Sequence, residues 1–600
     1  MCGIVGYIGK ESAIDKLIKG LKTLEYRGYD SAGVAILQKK EIKVIKDNGR
    51  ISNLEKILDA KDLISSIGIA HTRWATHGIP SKENAHPHIS QNKQFAVVHN
   101  GIIENYLELK KFLLSHNFKF QSDTDTEVIP LLLEYYYAQE HDVITALKKV
   151  LGDIKGSYAI LILTPLLPNT IIAAKKDSPL VLGKNNSGIY IASDIPAILE
   201  YTKDFYFLND GEVAFLNDSI TFYDVNFKKI KKEAKTIDLD MKTIDKKGYE
   251  DYMLKEIHEQ PEALENTLRG IVTKDHPIKF LNFSLSKEYL KSLSNIYIVA
   301  CGTAMHAGLT GKYTIEKICR IPVHVVVASE FRYQNPIINQ NTLCIFISQS
   351  GETADTIAAL KLAKKYGAKT ITITNVFESS ITREADHTIY TYAGPEIAVA
   401  STKAYISQVS MLVTLAIYMS EILDNKSESL KEELLNLPIL MRKLLENEAY
   451  YKDIAKMMAK ETDLFYIGRG NDYNIALEGS LKLKEITYIH SEAYQAGELK
   501  HGPIALIENG TFVIGIITDN TISGKTLSNL EEVKSRGANI ILITNQEIDY
   551  KNIITIPKTD PTISPILAII PLQFIAYFIA KEKGLDVDKP RNLAKSVTVE

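Results

Sequence analysis

Cys344-Ile-Phe-Ile-Ser-Gln-Ser-Gly-Glu-Thr353 is an apolar run that passes into a glycine-containing turn rich in hydroxyls. A short apolar run closed by such a turn reads as a buried strand, and a helix is expected to follow it. Backbone N–H groups at that helix start, with the Ser348, Ser350 and Thr353 hydroxyls and the Gln349 amide, can satisfy phosphate oxygens without any lysine. The same residues also fit an ordinary N-cap with a capping-box glutamate, so the surroundings decide.

Those surroundings repeat. Tyr366-Gly367-Ala368, a β-branched run and Thr374-Asn375 are answered 170 residues later by Arg536-Gly537-Ala538, a β-branched run and Thr544-Asn545. The strand ending at Gly302 has its counterpart in Leu464 to Gly470, 168 residues on. Helix follows strand throughout, so residues 249–440 and 441–587 read as two α/β subdomains with parallel sheets. Residues 1–225 instead carry short strands separated by Gly, Asn and Asp turns, with helices near Ser12–Leu24 and Tyr106–His116, which predicts a sheet-rich α+β domain. Residues 226–248, dominated by Lys and Asp, read as a linker, and 588–600 as an irregular tail.

Composition narrows the partners. The 600 residues hold 70 Lys plus Arg against 73 Asp plus Glu, a net charge of −3 that gives no footprint for nucleic acid. Four separated cysteines, Cys2, Cys301, Cys319 and Cys344, suggest neither a disulfide framework nor a zinc knuckle, and fit a reducing cytoplasm. The amino terminus lacks the basic region of a secretory signal. Polar residues interrupt the apolar runs Ala404–Leu423 and Ile563–Ala580, which read as buried helices rather than membrane spans.

Cys2 directly follows the initiator Met. Removing that Met leaves a thiol and an α-amine on one residue, nucleophile and base together, because an α-amine of pKa near ~8 is partly free at neutral pH. Amide hydrolysis needs further groups. Arg73, in His-Thr-Arg-Trp-Ala-Thr-His-Gly, offers a fork for a substrate carboxylate. Asp125 can pair with an α-ammonium. Asn100 and Gly101 can aim an amide and a backbone N–H at a developing oxyanion, worth ~3 kcal/mol per donor, although Asn-Gly is also a common hairpin turn.

In the second half, Lys482 and Glu485 stand three apart and share a helix face, a spacing that normally means a surface ion pair. His501, in Gly497-Glu-Leu-Lys-His-Gly-Pro503, suits proton exchange at neutral pH.

With Leu-Glu-Tyr-Arg-Gly-Tyr-Asp-Ser-Ala-Gly (24–33), the amino-terminal motifs resemble the glutaminase domain of N-terminal-nucleophile glutamine amidotransferases, and among these the isomerising glutamine:fructose-6-phosphate aminotransferase family. The later half resembles a tandem sugar-isomerase (SIS) module. The resemblance implies a four-layer αββα domain before the two SIS subdomains, and a γ-glutamyl thioester on Cys2. It implies glutamine binding by Thr76, His77 and Gly101, and Arg27 near the nucleophile. Trp74 would gate an internal ammonia channel. Ala300-Cys301-Gly302-Thr303 and Val399-Ala400-Ser401-Thr402-Lys403 match sugar loops, with Thr303 and Ser401 as contacts and Ala304 where the family commonly has Ser. Ring opening falls to His501 of a neighbouring copy, proton transfer to Glu485 assisted by Lys482, and imine formation to Lys595.

The expected activity is therefore glucosamine 6-phosphate formation from glutamine and fructose 6-phosphate, in a cytoplasmic homodimer without cofactor. His71, His77, His86, His88 and His99 crowd together, but known zinc spacings are absent and no metal is expected. Another amidotransferase would want a nucleotide or pyrophosphate signature, and a SIS-based regulator a DNA-binding helix-turn-helix. Neither is apparent.

Overall fold

The computed structural model describes all residues except Met1, 60–62, 75–76, 238–244, 282, 426–427 and 599–600. The chain divides into two compact units, Met1–Thr243 with Ala594–Glu600, and Ile244–Leu593.

The first unit is built on two antiparallel sheets of eight and seven strands. Strands β1 (Gly3–Gly9) and β2 (Ile67–Arg73) are neighbours in one, and β3 (Ala96–Ile103) lies in the other. Alternation along β1 sorts its side chains to two faces. Val5 and Tyr7 join a core with Leu17 and Leu21 of the helix Ala13–Leu24. Ile4 and Ile8 join Ala96 and Val98 of β3 in a core between the sheets. Val97 packs the other way, with Leu131, Leu132 and Leu147 of two further helices. Three cores separate four layers, helix, sheet, sheet and helix, as expected.

The segment expected as a linker, 226–248, opens with two short strands. Lys229–Ile230 and Lys235–Thr236 pair onto Phe222–Tyr223 and Asp204–Phe205 at outer edges of the two sheets. Two-residue strands are too short to show alternation, and lysine suits an exposed edge.

The second unit contains β4 (Asn295–Ala300), α1 (Gly302–Cys319), β5 (Thr342–Ser348), α2 (Ala354–Lys365), β6 (Lys369–Thr374) and α3 (Lys403–Ile422). These are followed by β7 (Asp463–Gly468), α4 (Asn471–Thr487), β8 (Phe512–Ile517), β9 (Asn539–Thr544) and α5 (Ser564–Glu582). One parallel sheet has the order Val323–Val327, β4, β5, β6, His387–Tyr390. The other has His490–Gln495, β7, β8, β9, Ile553–Thr555. Both therefore run 2-1-3-4-5 in chain order, so the sequence repeat is a structural one. In this topology ligands bind beyond the carboxyl ends of the first and third strands, where the chain reverses direction. α3 and α5 are long and apolar enough to span a bilayer by length and composition, but most of each is buried in this unit's core.

Candidate active site

Pairing of Gly3 with Thr72 carries Cys2 alongside the end of β2. The Cys2 Sγ accepts from the Trp74 N–H at 3.3 Å and donates to its carbonyl at 3.5 Å. Burial pushes the thiol pKa up. Asn100 Nδ2 donates to the Cys2 carbonyl at 3.0 Å, so the expected oxyanion amide borders the nucleophile. Asn100-Gly101 is not a hairpin turn but part of β3, paired with Ala159-Tyr158. Gly101 has φ +133°, and a Cβ there would lie 2.0 Å from the Ser157 carbonyl, so glycine permits a close backbone approach.

Arg73 is buried at 3% exposure. Its Nη2 donates to the carbonyls of His77 and Gly78, whereas its Nη1 is buried without an acceptor. A guanidinium edge held dry in this way is suited to an incoming carboxylate. Asp125 accepts from the Ile103 N–H at 2.8 Å, which fixes one carboxylate oxygen. Arg27 is buried and donates through Nε and Nη2 to Asp194 at 3.1 and 2.5 Å. His77 meets Tyr106 edge to face. Thr76 lies outside the described residues.

Four of the crowded histidines, His71, His86, His88 and His99, are buried. His71 Nε2 lies 3.0 Å from both the His99 carbonyl and Asn100 Oδ1. Two acceptors place the proton on Nε2, and burial pulls the His71 pKa down to about 3. His86 stacks on His71 and meets His88 edge-on. His88 and His99 bond Thr124 and Thr126 at 3.0 and 2.8 Å. His86 and His88 are pulled well below the ordinary imidazole value, and His99 lower, chiefly by burial.

In the second unit the residues expected to hold phosphate begin at Ser348, the last of β5, and continue into the turn beyond it. Gly351, at φ +67°, donates its N–H to Ser348 Oγ at 3.0 Å, and Ser348 Oγ lies 2.9 Å from Thr353 Oγ1. The Ser350 hydroxyl accepts from the Glu352 N–H at 3.2 Å. Thr353 is the N-cap of α2 and makes no side-chain capping bond. Glu352 accepts from the Ser380 N–H at 2.7 Å, so it serves another helix and the capping-box alternative does not apply. The Gln349 carbonyl is held by the Asn375 N–H at 3.1 Å.

The second sheet differs at the equivalent edge. Thr518, just beyond β8, gives its N–H and hydroxyl to Asp472 at 2.9 and 2.5 Å. Asp472 stands 168 residues after Ala304, which has no polar group to do the same. Burial pushes Asp472 up to about 7. An internal carboxylate thus already engages the repeat's second loop, leaving the first as the better place for phosphate.

Lys482 and Glu485 are not the surface pair their spacing suggested. α4 packs against α1, and Lys482 is wholly buried, its Nζ 2.5 Å from Glu485 Oε2. It also donates to Thr303 Oγ1 at 3.0 Å and lies 3.5 Å from Glu478 Oε1. Burial opposes the charge, but Glu485 and Glu478 outweigh it and raise the lysine pKa. The Thr303 hydroxyl bridges Lys482 to Glu478, to which it donates at 3.0 Å. Ser401 precedes Thr402, the N-cap of α3, whose N–H and that of Ala404 are accepted by Glu396 at 2.9 and 3.0 Å.

The fold thus joins Thr303 of the first repeat to Lys482 and Glu485 of the second. It does not gather every predicted residue: His501 ends the short 3₁₀ helix Glu498–His501 and is exposed, and Lys595 belongs to the tail grouped with the first unit. Sequence reading passed over Glu478, and named His71 only among the crowded histidines without its contact to Asn100. Glu478 is one helical turn before Lys482, a spacing that could have marked it.

Comparisons with known proteins agree with this geometry. Residues 71–200 match a glutamine amidotransferase domain family, and 289–418 and 457–579 each match the SIS domain family. The glutamine–fructose-6-phosphate aminotransferase (isomerizing) of Clostridium tetani is 52% identical over 610 residues, covering 100% of both chains. The chain belongs to the isomerising glutamine–fructose-6-phosphate aminotransferase family. The aminotransferase of that name from Caldanaerobacter subterraneus is also 52% identical, over 100% of both chains. Among solved structures, the C-terminal domain of glucosamine-fructose-6-phosphate aminotransferase from Francisella tularensis is 38% identical, with a TM-score of 0.55. It covers 57% of this chain and 99% of that one. In this family member, then, the thiol unit and the repeated α/β unit each carry their own chemical machinery.

Proposed function

We propose that this chain converts L-glutamine and D-fructose 6-phosphate into L-glutamate and D-glucosamine 6-phosphate. The observation that carries the reading is the pairing of buried Lys482 with Glu485, 2.5 Å apart, and the bond from Lys482 to Thr303 at the start of α1, which follows the first strand of a parallel sheet at its reversal point. The same chain holds the Cys2 thiol with the Asn100 amide bonded to the Cys2 carbonyl at 3.0 Å.

In this reading Arg73 Nη1 takes the glutamine α-carboxylate and Asp125 its α-ammonium, with Thr76 and His77 completing the pocket. Cys2 Sγ attacks the side-chain amide carbon, Asn100 and Gly101 stabilise the oxyanion, and ammonia leaves as the thioester forms. Water then hydrolyses the thioester to glutamate. Ser348, Gln349, Ser350 and Thr353 hold the sugar phosphate, Thr303 and Ser401 its hydroxyls, and His501 of a neighbouring copy opens the ring. Lys595 condenses with the C2 ketone, losing water. Ammonia, passing Trp74 inside the protein, attacks C2 and displaces the lysine. Glu485, assisted by Lys482, moves a proton from C1 to C2 and leaves the aldehyde at C1 and the amine at C2. A borrowed His501 calls for at least a dimer, and four separated cysteines fit a reducing cytoplasm.

The test is mass spectrometry of glutamate and hexosamine phosphate after incubation with both substrates, beside a Cys2→Ala control. Equal amounts of both products, lost together in the control, support the reading. Glutamate without amino sugar overturns it.

A further inference from the structure

The Lys482–Glu485 pair is one edge of a larger buried network, and its far edge is His306. Both α1 and α4 present one ladder to the other. On α1, Thr303 and His306 are three apart, and on α4, Glu478, Lys482 and Glu485 follow at one-turn spacings. Glu478 is wholly buried. Its Oε1 accepts from the Thr303 hydroxyl at 3.0 Å, and its Oε2 faces His306 Nδ1 at 2.8 Å. Because an ionised carboxylate only accepts, Nδ1 carries the proton.

We infer that His306 is a positioning residue for the isomerisation, holding Glu478 ionised so that Lys482 is shared between Glu478 and Glu485. The inference rests on the reading of Glu485 as the base. The charged and titratable groups that face this cluster are Glu478, Lys482 and Glu485 on α4, Tyr405 on α3, and Glu396 ahead of α3. Lys482 is the ammonium among them. If the ammonium paired with Glu485 alone, it would stabilise that carboxylate's charge and make it a weaker base. A second carboxylate on the other side of Nζ divides the ammonium's attraction. Glu478 can do so only while ionised, and an ionised, fully buried carboxylate needs its donors. Thr303 supplies one, and His306 the other.

Deleting the imidazole leaves Glu478 Oε2 buried without a donor, which favours its protonation. Lys482 then turns wholly to Glu485. The expected result for His306→Ala is a fall in kcat for fructose 6-phosphate turnover on the order of tenfold, the loss belonging to a weaker general base. KM for the sugar and glutamate release by the Cys2 site stay near the parent values. The acidic limb of kcat against pH moves to lower pH, by roughly one unit. His306→Asn places an amide N–H where Nδ1 stood and restores most of the rate and the limb, whereas His306→Gln, whose amide lies further out, does not.

The experiment compares these three variants with Glu485→Gln, using the full-length protein, with initial rates of hexosamine phosphate formation from pH 5 to 9 and glutamate release as the control for folding. Loss of turnover in Glu485→Gln with a downward limb shift in His306→Ala, rescued by Asn, supports the inference. An unmoved or upward-moved limb in His306→Ala, or equal loss in the Asn and Ala variants, overturns it. Full turnover in Glu485→Gln removes the reading beneath it instead.

Discussion

His71 Nε2 and Asn100 Oδ1 lie 3.0 Å apart, and the other end of that amide reaches the Cys2 carbonyl, also at 3.0 Å. The imidazole therefore settles which way the amide faces: its N–H claims the oxygen, and the amide nitrogen is left pointing at the nucleophile's residue. Asn100→Asp, which turns the donor into an acceptor, is expected to lower glutaminase kcat by about 10²–10³-fold. His71→Ala should lose roughly a tenth to a half of that effect on a logarithmic scale, by freeing the amide to flip. Glutamate release measures both. If Asn100→Asp keeps parent kcat, the amide is not an oxyanion donor.

Arg73 supplies a separate test, of binding rather than chemistry. Its Nη2 is engaged by the protein and its Nη1 is not, so one edge is structural and the other available. Arg73→Lys keeps the charge but not the fork. We expect KM for glutamine to rise by at least about tenfold, with a smaller change in kcat, since a carboxylate contact to Nη1 acts in ground and transition states alike. A kcat loss at unchanged KM would place the guanidinium elsewhere in the mechanism.

Much of this was legible in the sequence, and the limits have physical causes. The two parallel sheets could be read because a strand buried on both faces is a continuous apolar run, as at Cys344–Ile347, and because the repeat kept its spacing. The edge strands at 229–230 and 235–236 could not, since two residues carry no period. Lys482 and Glu485 were legible as a pair, but the burial of Lys482 was not. It depends on α1 packing against α4, a tertiary fact with no local signature. The roles of His71 and Glu478 were hidden for the same reason: each acts on a residue far away in sequence or on another helix. Of the two readings of Asn100-Gly101, the hairpin turn had only the local preference of the dipeptide behind it, whereas the close approach of Ser157 across the sheet requires glycine inside a strand.

The proposed phosphate loop makes a prediction through Gly351. Its φ is +67°, and a Cβ would meet Ser379 Oγ at 2.0 Å, with the neighbouring Cβ at 2.5 Å. Gly351→Ala therefore strains the backbone and pushes on Ser379, at a cost of about 1–3 kcal/mol. The loop yields first, because it is the part built from a few hydrogen bonds rather than from core packing. KM for fructose 6-phosphate should rise on the order of tenfold or more, while glutaminase activity without sugar is unchanged. A parent-like sugar KM would show that this turn does not hold the phosphate.

Acid should loosen the first unit before its carboxylates titrate. His71 is buried and neutral, with a folded pKa of about 3, against an ordinary unfolded value near ~6.5. Between those values the unfolded chain binds a proton that the folded chain refuses. Stability is thus full above about 6.5 and is lost progressively as pH falls toward 3. At pH 5 the shift from His71 alone corresponds to roughly 2 kcal/mol. His86, His88 and His99 are displaced in the same direction, so their effects have the same sign. The chain's single tryptophan, Trp74, lies in this unit and offers a selective probe. Urea unfolding followed by its fluorescence should show a midpoint that falls steadily from pH 7 to pH 5, a range in which ordinary carboxylates stay ionised. A midpoint constant across that range would mean that these imidazoles take up protons in the folded state, and that the His71 proton is not confined to Nε2.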